Sequence, residues 1–439
     1  MSARTLAIEV LARTAATEAY LNVALDTALS EAPPEDARDA ALATELVYGT
    51  TRRQLALDYA IAPHASRKLE TLEDRVLAAL RIGAYQLFYL RTPRHAAVGD
   101  TVQALKDLGF ARASGFVNAI LRKLAAMETQ PLPPEDDPVA YLAVRESHPE
   151  WLVRRWIRQF GRERAEAMLV ANNQPAPLTL RVNRSRIERA ELLTRFGDAG
   201  LSVSPTQFSP VGLVVPNPGR VSELDGYDEG LWQVQDEAAQ LVGIYAAIPE
   251  GARVYDACAA PGGKACHLAE RHEVLAADLH ANKLRKIHAE ARRLGVAERL
   301  TTLAHDATQP LPESAGEFHA VLIDAPCSGL GTLRRHPELR YRRKEEDISR
   351  LASLQRKILA QASEAVPPGG LLVWSVCTTE PQEGADQIEL FLRSHPEWTA
   401  EPPAPTAGQE LPLWNAWLRT LPGPEGMDGF FAARLRRLY

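Results

Sequence analysis

The stretch ARVYDACAAPGGK, residues 252–264, decides the fold. A short apolar run ends in Asp256, two glycines follow, and Lys264 opens a helical pattern. Strand, glycine turn and helix form the repeating unit of a parallel α/β sheet. Gly262 and Gly263 remove side chains where a ligand must approach the backbone. The stretch is not GxGxxG, and Ala265 stands where a phosphate loop carries Ser or Thr.

The same alternation continues downstream. EVLAAD (273–278), LTTLAHD (300–306), AVLIDA (320–325) and LLVWSV (371–376) are short apolar or β-rich runs separated by helical patterns, and FFAARLRR (430–437) can close the sheet. Residues 236–439 are therefore expected to form a Rossmann-like α/β domain with a mostly parallel sheet. Asp278 and Asp306 end successive strands, where an acidic residue accepts hydrogen bonds from ribose hydroxyls or faces the base. With no pyrophosphate fingerprint, the expected ligand is a nucleoside with a small charged tail. S-adenosylmethionine fits that description.

Upstream the pattern differs. Residues 1–127 read as all-helical, with stripes such as Val76, Leu77, Leu80, Leu87 and Phe88 and, later, Val117, Ile120, Leu121 and Leu124. The Pro- and acid-rich METQPLPPEDDP opens a linker expected over 128–145. Residues 146–235 read as a small α+β connecting module: a helix from Trp151 with a basic side (Arg154, Arg155, Arg158, Arg162, Arg164), then strands at PLTLRVN and LVVPNP. A multidomain chain suits the length of 439 residues. No run is long and apolar enough for a membrane span, and the first residues lack a signal-peptide pattern, so a soluble cytoplasmic protein is expected. A net charge of −6 argues against a chain coated in nucleic acid, though not against a local basic surface. The four cysteines form no CxxC pair, so neither a disulfide framework nor a metal site is expected. Nothing demands more than a monomer.

The chemistry concentrates in two turns. AVLIDAPCSGLG (320–331) delivers Asp324 at a strand end, and Pro326 stiffens the turn that presents Cys327. WSVCTTEP (374–381) places Cys377 at the end of another strand. Asp324-Ala325-Pro326-Cys327 resembles the acidic-Pro-Pro-aromatic motif of amino-methylating enzymes, with a thiol at the aromatic position. An exocyclic amine is already nucleophilic and needs no thiol, whereas carbon 5 of a pyrimidine is not. A thiolate adding to carbon 6 makes carbon 5 enamine-like, able to attack a methyl sulfonium. A base must then take the carbon-5 proton so that the thiol can leave. Two strand-end cysteines can divide that work, one forming the adduct and one assisting release. Directly downstream, Arg334, Arg335, Arg340, Arg342 and Arg343, interleaved with His336 and Tyr341, read as a phosphate-gripping surface.

At these residues the chain resembles RNA (cytosine-5)-methyltransferases and, more narrowly, the bacterial RsmB (Sun/Fmu) family that modifies 16S rRNA. DACAAPGGK, DAPCSGLGTLRRHPELRYRR and SVCTTEPQE carry the resemblance, and SGFVNAILRKLA is similar to the NusB-like RNA-binding domain. The resemblance implies a class I methyltransferase domain behind a NusB-like one. It implies that Cys258, Ala259, Ala260, Pro261, Gly262, Gly263 and Lys264, with Asp278, Asp306 and Asp324, bind S-adenosylmethionine. It implies that Cys377 is the nucleophile, that Cys327 assists product release, and that Asp324 also holds the cytosine edge. Two positions depart from the family pattern. Lys283 stands where Arg is usual among the cofactor contacts, and Gln382-Glu383-Gly384 replaces the usual continuation, so that turn receives no role. The implied partner is 16S rRNA, naked or in a partly assembled small subunit. A tRNA or other rRNA substrate, and a non-catalytic RNA-binding assembly factor, are the competing expectations.

Overall fold

The computed structural model describes residues 1–17, 19–34, 36–216, 219–404, 410–423 and 426–439. Contacts divide the chain into two units: Met1–Gln174 with Leu333–Arg342, and Pro175–Thr332 with Arg343–Tyr439.

The first unit is helical. Helices Ala3–Ala16, Ala37–Arg52, Asp74–Tyr89 and Ser114–Ala125 close on a core that includes Leu6, Val10, Leu46, Leu80 and Leu121, all at most 1% exposed. The expected linker is shorter than 128–145. Pro138–Arg145 is a helix whose Leu142 is fully buried, and the Asp137 carboxylate caps it by accepting from the N–H groups of Val139 and Ala140. An Asp cap with Pro at the first helical position is a helix start, here hidden among loop-forming neighbours. By their contacts the helices Glu150–Phe160 and Arg162–Ala171 group with this unit.

One more segment completes it. Leu333–Arg342 comes from far along the chain, and its Arg340 is fully buried. The Arg340 guanidinium donates to Asn173 Oδ1 (2.8 Å) and to the carbonyls of Ser147 (3.2 Å), Asn172 (3.2 Å) and Arg52 (3.3 Å). Burial pulls its pKa down to about 10. The Tyr341 hydroxyl donates to the Thr51 carbonyl (2.9 Å), and Arg342 Nη2 reaches the carbonyls of Ala19 (2.8 Å) and Thr14 (3.1 Å).

The second unit holds two sheets. Strands β1 (Leu178–Val182), β2 (Ser204–Pro205), β3 (Gly212–Val215) and β4 (Trp232–Val234) form an antiparallel sheet in the order β2-β3-β1-β4. Of the expected strand LVVPNP, Asn217 and Pro218 lie outside the described residues. The larger sheet contains β5 (Arg253–Asp256), β6 (Glu273–Asp278), β7 (Leu300–Ala304), β8 (Ala320–Asp324) and β9 (Leu371–Val376). It also takes in β10 (Trp398–Ala400), β11 (Leu413–Trp414), β12 (Trp417–Arg419) and β13 (Phe431–Arg437). Its order is β11-β12-β13-β9-β8-β5-β6-β7, with β10 added on β13. Strands β5 to β9 pair in parallel, and β13 runs antiparallel to β9. The order turns back between β5 and β8, so the carboxyl ends of β5, β6, β8 and β9 open onto one crevice, where ligands of such sheets bind.

Candidate active site

Each strand end delivers one group to the crevice. Gly262 after β5 has φ +108°, a left-handed conformation that favours glycine, and a Cβ there would meet Ile287 at 3.2 Å. This turn starts the helix Gly263–Ala269 and aims Lys264 across the sheet. Lys264 Nζ lies 2.6 Å from Asp324 Oδ2 at the end of β8, and 5.1 Å from the Phe430 ring centroid. Burial disfavours the ammonium, but Asp324 outweighs it and leaves the pKa of Lys264 raised. In the parallel register Asp324 faces Ser375, whose Oγ donates to Asp324 Oδ1 at 3.1 Å. Beneath them Asp256 is fully buried, and burial, with the Asp324 charge adding to it, pushes its pKa up to about 8.

Asp278 ends β6 and is 9% exposed. Its Oδ2 accepts from the Ala260 N–H (3.3 Å), which ties the glycine loop to the next strand, and its Oδ1 accepts from the His280 N–H (2.9 Å). Lys283 Nζ is 4.0 Å from Asp278 Oδ1 and half-exposed, a loose pair. Asp306 stands exposed two residues past β7, its carboxylate held by the Thr308 N–H (2.9 Å) and hydroxyl (2.7 Å), which lower its pKa. Cys258 is part-buried and Cys266 buried, and burial pushes both thiols up.

The two turn cysteines meet. Cys327 Sγ and Cys377 Sγ are 3.3 Å apart, close enough for one thiol to donate to the other sulfur. Contact with Cys377, then burial, push the Cys327 thiol well above its ordinary range. Gly331 N–H donates to the Cys377 carbonyl (3.1 Å), and a Cβ on Gly331 would meet the Gly429 carbonyl at 1.9 Å, so only glycine fits this approach.

Sequence reasoning left Glu383 without a role. Its carboxylate is fully buried and accepts from the Ser328 N–H (2.8 Å), the Ser328 hydroxyl (2.5 Å) and Gln355 Nε2 (3.1 Å). The only cue in the sequence is an acidic residue, three places after Glu380, in a turn with no basic neighbour. The basic run behaves differently from its expectation. Arg340 is enclosed by carbonyls as described and offers nothing to a phosphate. Arg342 is committed to carbonyls of the helical unit, and Arg343 Nε donates to the Ser328 carbonyl at 2.9 Å. Arg334 and Arg335 are half-buried.

These strand ends, the glycine loop and the sheet order fit an S-adenosylmethionine-dependent methyltransferase, and family models along the chain extend the match to methyltransferases of rRNA. Residues 244–436 match the model for 16S rRNA methyltransferase RsmB/F, residues 1–126 the NusB family, and residues 148–222 the ferredoxin-like domain of RsmF/B-like methyltransferases. The ribosomal RNA small subunit methyltransferase B of Pseudomonas syringae is 37% identical, over 100% of this chain and 97% of its own. The probable ribosomal RNA small subunit methyltransferase B of Bacillus subtilis is 34% identical, over 99% of each. The crystal structure of PH0851 shares the fold, with a TM-score of 0.86 at 24% identity, covering 100% of this chain and 99% of that one. A methyltransferase homologue from Pyrococcus horikoshii covers 69% of this chain and 99% of its own, with a TM-score of 0.59 at 26% identity. The chain belongs to the ribosomal RNA small subunit methyltransferase B family.

Proposed function

We propose that this chain methylates carbon 5 of a cytosine in 16S rRNA through a covalent adduct to Cys377. The observation that carries the proposal is the 3.3 Å approach of two thiols at adjacent strand ends, beside a carboxylate held by Lys264 and Ser375. An amine-methylating site has no use for such a pair.

The crevice suits S-adenosylmethionine, which supplies an electrophilic methyl group when bound. Asp324 is paired with Lys264 and Asp278 loosely with Lys283, so among the described residues the crevice holds no excess cation for a pyrophosphate and keeps carboxylate oxygens for ribose hydroxyls and a sulfonium. Asp278 and Asp306 would take the ribose and base side, Lys283 the outer edge of Asp278, and residues 258–264 would line the cofactor with backbone.

The cysteines act in turn. The Cys327 S–H, 3.3 Å from the Cys377 sulfur, can donate to it and support the negative charge with which Cys377 attacks. The Cys377 thiolate adds to carbon 6 while Asp324 and its lysine partner hold the cytosine edge. Carbon 5 then takes the methyl group. With Cys377 now a thioether, Cys327 has lost its anionic neighbour and can release its proton to solvent. The resulting thiolate takes the carbon-5 proton, the carbon 6–sulfur bond breaks, and Cys377 leaves as thiolate. The cycle restores the starting pair and releases one proton overall.

The testing experiment is transfer of labelled methyl from S-adenosylmethionine to unmodified small-subunit rRNA, with the product nucleotide mapped. A single 5-methylcytosine is expected. Incorporation only into tRNA would keep the chemistry and move the substrate, and tight RNA binding without incorporation would favour a non-catalytic factor.

A further inference from the structure

Glu383 lies in the turn Pro381–Glu383 after β9, and its carboxylate reaches both cysteine turns. On the Cys327 side it accepts from the N–H and hydroxyl of Ser328, the next residue. It also accepts from Gln355 Nε2, which donates in turn to the Pro326 carbonyl at 2.9 Å, so both neighbours of Cys327 are tied to it. On the Cys377 side, the Ser328 hydroxyl lies 2.8 Å from Thr378 Oγ1, adjacent to the nucleophile. Trp374 Nε1 donates to the Glu383 carbonyl at 3.2 Å and fixes the turn against β9.

A fully buried carboxylate is costly, and burial raises the pKa of this one. Among the described residues no cation pairs with it. Its compensation is three neutral donors, which bind an ionised acceptor more strongly than a neutral one.

We propose that Glu383 is the positioning residue of the two-cysteine site: it holds the turn carrying Cys327 on the turn carrying Cys377, so that the sulfurs face each other. The proposal rests on the covalent-adduct reading. Release depends on where Cys327 stands relative to the adduct, so loss of the clamp must impair release more than addition.

The test compares Glu383→Ala, Glu383→Gln and Cys327→Ala in the full chain. It measures single-turnover methyl transfer and the fraction of enzyme in a denaturation-resistant RNA adduct. A displacement of about 1 Å costs roughly a hundredfold in rate, so Glu383→Ala is expected to slow release about tenfold to a hundredfold relative to methyl transfer and to accumulate adduct. Glu383→Gln keeps an acceptor for the Ser328 N–H and is expected to restore most of the release rate. Equal losses of transfer and release in Glu383→Ala, or a Gln variant no better than Ala, would overturn the proposal. If Glu383→Ala lacks a folding transition, Ser328→Ala carries the test. It removes the hydroxyl links to Glu383 and Thr378, and adduct must accumulate there too, or the proposal fails. If Cys327→Ala itself traps no adduct, the covalent reading fails instead.

Discussion

Arg340 and Glu383 are both charged, both fully buried, and among the described residues neither pairs with an opposite charge. Each is enclosed by neutral dipoles, carbonyls around the guanidinium and N–H or O–H donors around the carboxylate. What they hold differs. Arg340 gathers carbonyls at Arg52, Ser147 and Asn172, far apart in sequence, and so joins a late segment to the helical unit. Glu383 gathers two reactive turns. A buried charge with the same kind of shell thus serves stability in one unit and chemistry in the other, and the captured groups decide which.

The comparison breaks first, and most severely, at the sulfurs Glu383 serves. Cys377→Ala is expected to abolish methyl transfer and adduct together, a loss of at least about a thousandfold of the kind seen when a nucleophile is removed. Cys327→Ala is expected to trap the adduct, and gel analysis of labelled RNA separates the two. Exchanged phenotypes would reverse the assigned roles. Next, Arg340→Ala leaves several buried carbonyls without a donor and a cavity beside them, costing on the order of 3 kcal/mol by denaturant unfolding. The salt dependence of RNA binding should not change in that variant. A flattened slope at unchanged stability would return Arg340 to the phosphate-binding role its sequence suggests.

Asp256 sharpens the contrast, because it is a buried carboxylate without such a donor shell. Its folded pKa of about 8 lies above the ordinary value of 3.8, so the folded state binds the extra proton. The unfolded state then binds fewer protons than the folded one, and stability falls as pH rises from about 4 to about 8. Asp256→Asn should therefore gain in melting temperature over the parent across that window, with the gain levelling off above pH 8. The smallest effect belongs to the basic run. Replacing Arg334 and Arg335 together with Ala should lower the slope of log binding constant against log salt by about 2, with methyl transfer at saturating RNA nearly intact.

Much of this was legible beforehand, for identifiable reasons. Strands β5 to β9 are short apolar or β-rich runs set off by the helical patterns between them, and the residues at their ends name the crevice: Asp256, Asp278, Asp324 and, one step further, Cys377. The short strands β10 to β12 span two or three residues each and carry no period at all. The helix Pro138–Arg145 was masked by the prolines and acids before it, although Asp137-Pro138 is a start signal. Arg340 and Glu383 were illegible because charge in a sequence says nothing of enclosure. Only the folded chain shows that Asn173 and Ser328 stand ready to receive them.

The late arrival of Leu333–Arg342 bears on biosynthesis. Synthesis proceeds from the amino terminus, and domains generally fold as they emerge. The helical unit cannot finish that way, since its own Arg340 is made only after β1 to β8. Until then Asn173 and the Ser147 carbonyl wait for a donor that has not been translated. The amino-terminal unit is therefore the first begun and among the last completed. A fragment ending near Gln174 should accordingly be looser than its counterpart in the finished chain, and a separate peptide spanning 333–342 should tighten it.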